Sequence, residues 1–175
     1  MSSSPLLEED EPPVGAGTSR GKSSLMYLAS AWLLVLFCCL VIAAESTVYF
    51  GADHTSTPLQ RFFEFFFGPF TQPQWWRLHI IIRKSGHFTG YGLLSISWFR
   101  AFWMTFRTSA PVHDRRVADH ALAMLGTLLV ASCDEFHQTF LPNRSGSARD
   151  VLVDCSGAAI MQILVWLWMR RRFRT

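Results

Sequence analysis

The sequence predicts an all-α integral membrane bundle of about four transmembrane helices, with an aromatic interfacial segment in the first loop. Half of the 175 residues are hydrophobic, and they include 15 Phe and 7 Trp, which is heavy for a water-soluble domain of this length. The apolar residues form blocks, whereas a soluble helix would carry them at amphipathic spacing. A soluble all-helical domain is the alternative. It leaves unexplained why the last block ends in WLWM followed by Arg170, Arg171 and Arg172, an aromatic-then-basic edge typical of a helix leaving a membrane.

Four apolar blocks are the candidate transmembrane spans. A bilayer core about 30 Å thick needs roughly 20 mainly apolar residues per helix. The first block, residues 24–44, meets that requirement with no charge between Lys22 and Glu45. The other three blocks carry polar residues near one end and cover residues 87–106, 117–133 and 151–169.

The sequence outside these blocks divides the chain into three parts. Residues 1–23 are rich in Ser, Pro, Gly and acidic residues, so we predict a disordered tail. Residues 24–170 form the predicted transmembrane domain, and residues 171–175 a basic tail. Because Arg20 and Lys22 precede a full-length apolar run, a retained signal anchor is favoured over a cleaved signal peptide. Cleavage after the Ala43-Ala44 pair is the alternative.

The first loop, residues 45–82, is unusually aromatic. Six Phe lie between residues 59 and 70, and Trp75 and Trp76 follow. Aromatic side chains favour the headgroup level of a bilayer, so we expect this loop to lie along the membrane interface. A soluble aromatic cluster packed on the helix ends is the alternative. Residues 78–82 could extend the second helix outward by more than a turn.

The basic residues near the helix ends predict the orientation. With both termini in the cytoplasm, that side carries nine: Arg20, Lys22, Arg107, Arg115, Arg116, Arg170, Arg171, Arg172 and Arg174. The other side carries six: Arg61, Arg77, Arg83, Lys84, Arg144 and Arg149. The excess favours a multi-pass protein of the cell membrane with both termini cytoplasmic.

Other site classes receive little support from the sequence. The four Cys (38, 39, 133 and 155) lie inside apolar stretches, with neither metal-ligand spacing nor a disulfide framework. The net charge is +3, and the basic residues flank the apolar blocks and form no continuous basic face. A nucleic-acid partner is therefore not expected.

Polar residues gather at one membrane face, because four helices place the first and third loops on the same side. Lys84, His87 and Tyr91 are separated by three and four residues, so a continuous helix places them on one stripe. Asp134 and Gln138 share a stripe if the third helix continues through them. Ionisable groups at the centre of a bilayer cost roughly 2.5–3.5 kcal/mol each. We therefore expect the groups at one depth to face each other.

Each of these residues also has a purely structural interpretation. Lys84 is compatible with a solvated flank, His87 with a packed histidine, and Asp150 with a helix cap. A salt-bridge network that holds the helix ends together is the general alternative to a shared site. The predicted ligand-binding residues are Lys84, His87, Tyr91, Asp134, Glu135, His137, Gln138, Arg144, Asp150 and Asp154.

Three segments together resemble the VanZ-like family: K-S-G-H-F-T-G-Y (84–91), D-E-F-H-Q-T-F-L-P-N-R-S-G-S (134–147) and R-D-V-L-V-D-C-S-G-A (149–158). The resemblance covers about residues 25–170. The chain departs from the family pattern at Asp154, where Asn is common. The founding member is associated with teicoplanin resistance, so the resemblance implies a membrane protein of the bacterial envelope, with a link to glycopeptide resistance as a finer implication.

Three functions are compatible with these residues. The favoured one is a non-catalytic protein that binds a lipid or cell-wall precursor, with Arg144 and Lys84 holding an anionic headgroup. The second is an intramembrane hydrolase or transferase with His87, Asp134, Glu135 and His137 as candidate catalytic residues. A transporter or a channel subunit is least favoured, because the charges lie at only one face and none pair at mid-depth.

No cofactor is predicted for either of the first two functions, and no metal. A metal-dependent version of the enzyme would use His87, His137, Asp134 or Glu135, and Asp150. S-G-H at residues 85–87 is similar to an element of phosphatidic-acid phosphatases, but the other motifs of that family are missing.

Overall fold

The computed structural model describes residues 16–106, 112–142 and 146–172. These residues form five α-helices: α1 (Ala16–Glu45), α2 (Ala52–Phe67), α3 (Gln72–Thr105), α4 (Val112–Gln138) and α5 (Ala148–Arg172). A short 3-10 helix, Val48–Phe50, joins α1 to α2. No strand occurs within the described ranges, which confirms the all-α prediction.

Three of the helices are long and apolar enough to cross a membrane. Their apolar windows lie in Leu25–Glu45 of α1, Arg116–Gln138 of α4 and Ala148–Arg172 of α5. Large apolar side chains such as Phe37, Leu129 and Ile163 remain more than half exposed. Exposed apolar surface on this scale marks an interaction surface, which for three such helices is lipid. The chain is therefore a membrane protein.

The fourth predicted span, residues 87–106, lies in α3, which is helical but is not among the three apolar spans. The polar residues of α3 account for the difference. Ser95 and Ser97 are buried, and Arg100 donates to the Ser30 hydroxyl at 3.1 Å. The helix contacts α1, α4 and α5. Neighbouring helices therefore cover much of the surface of α3, including Ser95 and Ser97.

Close helix packing around α3 depends on small residues. Gly92 of α3 and Gly157 of α5 face each other, and a Cβ at Gly157 would lie 2.1 Å from the Phe88 carbonyl oxygen. Alanines from α1, α3 and α4 line the same core, with Leu94 buried between them. Small residues let helix backbones approach closely, which is how helices associate in a membrane.

The aromatic segment of the first loop forms a helix of its own. α2 ends at Gly68, whose φ of 81° suits glycine. The Trp75 indole N–H donates to the Ser56 hydroxyl at 2.7 Å, and the Phe63 ring lies 6.4 Å from the Trp75 ring. Phe65 is 83% exposed. α2 therefore lies against the beginning of α3 and leaves aromatic side chains uncovered.

Helix boundaries differ from the sequence prediction mainly by extension. α1 begins at Ala16, inside the predicted tail, and residues 1–15 lie outside the described part of the chain. α3 begins at Gln72, where the Thr71 N–H donates to the Gln74 side chain at 3.0 Å. α5 continues to Arg172, and residues 173–175 of the predicted basic tail are not described.

Candidate functional site

The ends of α1 and α4, the beginning of α5 and the Lys84 region of α3 meet at one face of the bundle. Lys84 of α3 pairs with Asp150 of α5. Ser46, just after α1, lies 3.4 Å from the His137 Nδ1 of α4. These contacts join the segments before and after the first and third loops. Residues that flank the first and third loops therefore lie at the same face of the bundle.

Asp134 is the centre of the polar cluster at this face. The Tyr91 hydroxyl donates to its Oδ2 at 2.9 Å, and the Gln138 amide donates to the same oxygen at 3.2 Å. All three side chains are buried. α4 continues through Gln138, so Asp134 and Gln138 lie one turn apart on one stripe, as the spacing predicts.

His87 and Asp154 form a second contact within the cluster. The His87 Nδ1 lies 3.5 Å from the Asp154 Oδ1, and the His87 ring stacks on Tyr91 with centroids 6.1 Å apart. Asp154 is 0% exposed. Within the described ranges neither of its carboxylate oxygens accepts a hydrogen bond. His87 is therefore the group that Asp154 can orient.

Glu135 fastens the end of the third loop to the cluster. The Ser147 backbone N–H donates to the Glu135 Oε2 at 2.8 Å. Gly146 packs so closely that a Cβ there would lie 2.0 Å from the Glu135 carbonyl oxygen. Only glycine fits this approach. Arg144, the predicted headgroup ligand of the same loop, lies outside the described residues.

Three predicted site residues lie at the periphery. Lys84 and Asp150 pair with each other, and their side chains are 51% and 35% exposed. Surface ion pairs of this kind contribute roughly 0–1 kcal/mol. His137 is exposed and contacts Ser46, away from the buried carboxylates. The cluster that the structure brings together contains Tyr91, His87, Asp134, Glu135, Gln138 and Asp154.

A cleft of about 160 Å³ adjoins this cluster, with His87 on its wall. It lies between α2 and the outer part of α3, and its lining consists of Glu45, Thr55, Leu59, His79, Arg83, Gly86 and His87. His79 is buried, and its Nε2 lies 3.4 Å from the Thr55 hydroxyl. Burial, and then the nearby Arg83 charge, lower the pKa of His79 below its usual 6.5.

Sequence reasoning missed Thr55 and His79 as site residues. No spacing rule joins them, because they lie on different helices and meet only when α2 folds back onto α3. The aromatic pair that precedes His79 was the only signal, since Trp75 stacks on the His79 ring at 5.5 Å.

A second buried polar group lies farther along the bundle and was also missed. The Gln162 amide of α5 donates to the Ser95 carbonyl at 2.9 Å and to the Ser95 hydroxyl at 2.7 Å. Its oxygen contacts the His120 Nδ1 of α4. The Phe99 ring stacks on His120 at 4.4 Å. These contacts tie α3, α4 and α5 together, which is a structural role.

The cluster combines groups that can bind a cation or handle a proton. Ligand atoms of His87, Asp134 and Glu135 lie within 4.8 Å of one another. His87 also lies between the Asp154 carboxylate and the cleft. An imidazole oriented by a carboxylate in this way can act as a general base. The cleft beside it contains the basic Arg83, the acidic Glu45 and the apolar Leu59, a mixed lining that can contact both a polar headgroup and an apolar chain.

The chain is similar to a known family. A family model described as VanZ/LLP1 matches residues 27–169. This match confirms the resemblance that residues 84–91, 134–147 and 149–158 carry. The chain has no significant match among curated proteins or among solved structures.

Proposed function

The chain belongs to the VanZ/LLP1 family, and from that membership and the form of the cleft we propose that it is an envelope membrane protein that binds an anionic amphiphile. The observation that carries the proposal is the cleft itself. Its lining includes the basic Arg83, His87, the acidic Glu45 and Leu59 of the aromatic helix α2. A guanidinium suits phosphate or carboxylate, and an apolar wall suits an acyl or prenyl chain.

We also propose that the chain crosses the membrane four times. α1 packs against α3, with the Cys38 Sγ 3.5 Å from the Ser97 hydroxyl and the Trp32 indole N–H donating to the Thr105 hydroxyl at 3.1 Å. Since α1 is apolar enough to cross the membrane, we expect α3, which packs beside it, to cross the membrane as well. α2 then lies in the headgroup layer with Phe62, Phe65 and Phe66 toward lipid, because these side chains are each more than half exposed.

The ligand class follows from the face at which the cleft opens. With both termini cytoplasmic, the cleft opens on the extracytoplasmic side, where lipid-linked cell-wall precursors are used. A precursor as ligand would give the glycopeptide-resistance link that the family resemblance implies. Lower teicoplanin tolerance after deletion of the gene would support that link.

A second candidate function is hydrolysis or group transfer on the same amphiphile. The specific observation in its favour is the His87–Asp154 contact at 3.5 Å, because an imidazole oriented by a buried carboxylate can act as a general base. His87 also lines the cleft, so a bound headgroup would lie within its reach.

One experiment tests the binding proposal. Detergent-purified protein is titrated with phosphatidylglycerol and undecaprenyl phosphate, and bound lipid is measured by native mass spectrometry. We expect Arg83→Gln to weaken binding about tenfold, since a charge-assisted hydrogen bond contributes about 1.5 kcal/mol or more. Arg77→Gln is the matched control, because Arg77 is exposed on the same helix and outside the cleft.

The same samples separate the two functions. Lipids recovered unchanged after long incubation support binding alone, whereas release of a headgroup or of inorganic phosphate, lost in His87→Ala, supports the enzyme. Equal affinity of wild type and Arg83→Gln for both lipids contradicts the cleft as the binding site.

A further inference from the structure

The polar cluster contains a compact set of metal-ligand atoms. One ring nitrogen of His87, one oxygen of Asp134 and one oxygen of Glu135 lie within 4.8 Å of one another. Asp134 and Glu135 are buried, and His87 is partly buried. Three protein donors at this separation can surround a single ion and leave one coordination position open.

The hydrogen bonds around these donors leave atoms for an ion. Within the described part of the chain, the bonds from Tyr91 and Gln138 both end on the Oδ2 of Asp134. The bond from Ser147 ends on the Oε2 of Glu135. Each carboxylate therefore keeps one oxygen while the other is held in orientation. Outer contacts of this kind fix ligands around metals in proteins.

Asp154 gives an independent indication of a cation. It is 0% exposed, and neither of its oxygens accepts a hydrogen bond from the described residues. A buried carboxylate loses several kcal/mol of hydration, and one long contact with an imidazole offsets only part of that cost. Its near contact is the His87 Nδ1 at 3.5 Å. Because the Nδ1 of His87 faces the Asp154 carboxylate, its Nε2 is the nitrogen that remains to bind an ion. Histidine ligands of metals in proteins are commonly oriented by a carboxylate in this way.

The charge balance also favours a cation. Asp134, Glu135 and Asp154 are carboxylates at one level of the bundle, and His87 is the one basic side chain inside their cluster in the described ranges. Lys84 forms an ion pair with Asp150 at the periphery of the cluster. An ion of charge +2 would offset most of the negative charge that the cluster carries when ionised.

We propose that His87, Asp134 and Glu135 bind one divalent first-row transition-metal ion, with Asp154 as the positioning carboxylate of His87. An imidazole with two carboxylates suits Zn²⁺ or Mn²⁺ better than Mg²⁺, which prefers oxygen ligands alone. The site differs from the metal set considered from the sequence, because His137 contacts Ser46 and Asp150 pairs with Lys84. It goes beyond amphiphile binding and does not depend on it.

The test uses full-length protein in detergent without added lipid. The protein is treated with a chelator, desalted and titrated with ZnCl₂, and bound zinc is measured by mass spectrometry of the metal. We expect about one Zn²⁺ per chain. His87→Ala and Glu135→Gln remove this zinc, whereas His54→Ala keeps it. His54 is the matched control because it is an exposed histidine on α2.

Asp154→Asn separates the positioning role from ligation. It is expected to keep the stoichiometry and to weaken zinc affinity roughly 10–100-fold, the effect typical of outer-contact changes. Where His87→Ala does not fold, Glu135→Gln decides, because glutamine keeps an oxygen for the Ser147 N–H. Wild-type protein that takes up no zinc, or variants at His87 and Glu135 that retain it, overturn the proposal. Neither result depends on the lipid titration.

Discussion

At the scale of single residues, His79 shows how burial changes the protonation of a side chain. It lies on the outer part of α3, ahead of the predicted span, yet it is only 1% exposed. Trp75 stacks on one side of its ring, and the Thr55 hydroxyl lies 3.4 Å from its Nε2. A histidine enclosed in this way is more stable neutral than charged, because burial and Arg83 both oppose the proton.

The lowered pKa of His79 predicts a pH-dependent stability. The unfolded chain binds a proton near the usual pKa of 6.5, while the folded chain resists it. The stability that neutral His79 contributes is therefore fully present above pH 6.5 and is lost as the pH falls from 6.5 toward the lower folded pKa. We expect the melting temperature of wild type to fall over that window and the slope to flatten in His79→Phe.

The control for this prediction is His54→Phe, which changes an exposed histidine of α2. It should keep the wild-type slope, because an exposed histidine is not enclosed on folding. An unchanged slope in His79→Phe would contradict the assignment of the effect to His79.

Residue spacing predicted part of the site, and three-dimensional contacts supplied the rest. Lys84, His87 and Tyr91 lie on one stripe because helical periodicity is a local property. His137 differs. It follows Asp134 by three residues, a spacing that would place it on the same stripe, yet its side chain is exposed and its Nδ1 lies 3.4 Å from the Ser46 hydroxyl. The Ser147 donor to Glu135 is a backbone group, and backbone donors carry no signal in a sequence.

At the scale of elements, the close packing of α3 against α5 depends on glycine at position 157, which has no side chain. The Gly157 Cα lies against the backbone of Phe88, and Gly92 lies against Gly157 and Met161. Backbone atoms cannot move aside as a flexible side chain can. The two helices must therefore separate if Gly157 acquires a side chain.

Gly157→Ala is expected to destabilise the fold by about 1–3 kcal/mol, the cost of overpacking a close contact. The physical reason is the 2.1 Å separation between the added Cβ and the Phe88 carbonyl oxygen. Unfolding in mixed detergent measures the change. Gly90→Ala is the matched control on α3, since a Cβ there meets nothing within 4 Å. A Gly157→Ala protein as stable as Gly90→Ala would show that the helices do not cross this closely.

α2 is the element for which position relative to lipid matters most. Its sequence is amphipathic, with Thr57 and Phe66 on opposite sides because nine residues correspond to two and a half turns of about 3.6 residues. The aromatic composition predicted an interfacial segment. The fold-back that places Ser56 and Thr55 against α3 was not predictable, since it depends on the Gly68 turn.

Spin labels test the depth of the two sides of α2. In a chain with its four cysteines replaced by alanine, a label at Phe66→Cys is expected to be accessible to oxygen, which partitions into lipid. A label at Thr57→Cys is expected to be accessible to a water-soluble nickel chelate. Equal accessibility of both positions to the nickel chelate would mean that α2 stands free of the membrane.

At the scale of the whole molecule, the two ends of the bundle have different chemistry. One end holds the buried carboxylates and the cleft. Toward the other end, α5 finishes with Arg170 stacked over Trp166 at 4.4 Å and Arg172 over Trp168 at 5.9 Å. Tryptophan and arginine in this arrangement are typical of a helix end at a membrane–water interface. The side of the membrane that each end faces depends on the basic residues near the helix ends.

The choice rests on the basic residues, and it decides which ligands the cleft can reach. Nine Lys and Arg against six favour the α5 end in the cytoplasm. We expect a fluorescent protein fused after Thr175 to fluoresce and alkaline phosphatase at the same place to be inactive. In right-side-out vesicles of a cysteine-free chain, an impermeant maleimide should label Arg77→Cys and spare Arg170→Cys until the membrane is opened. The reverse pattern would place the cleft in the cytoplasm, where it would meet cytoplasmic-leaflet lipids, and a cell-wall precursor on the outer surface would no longer be a possible ligand.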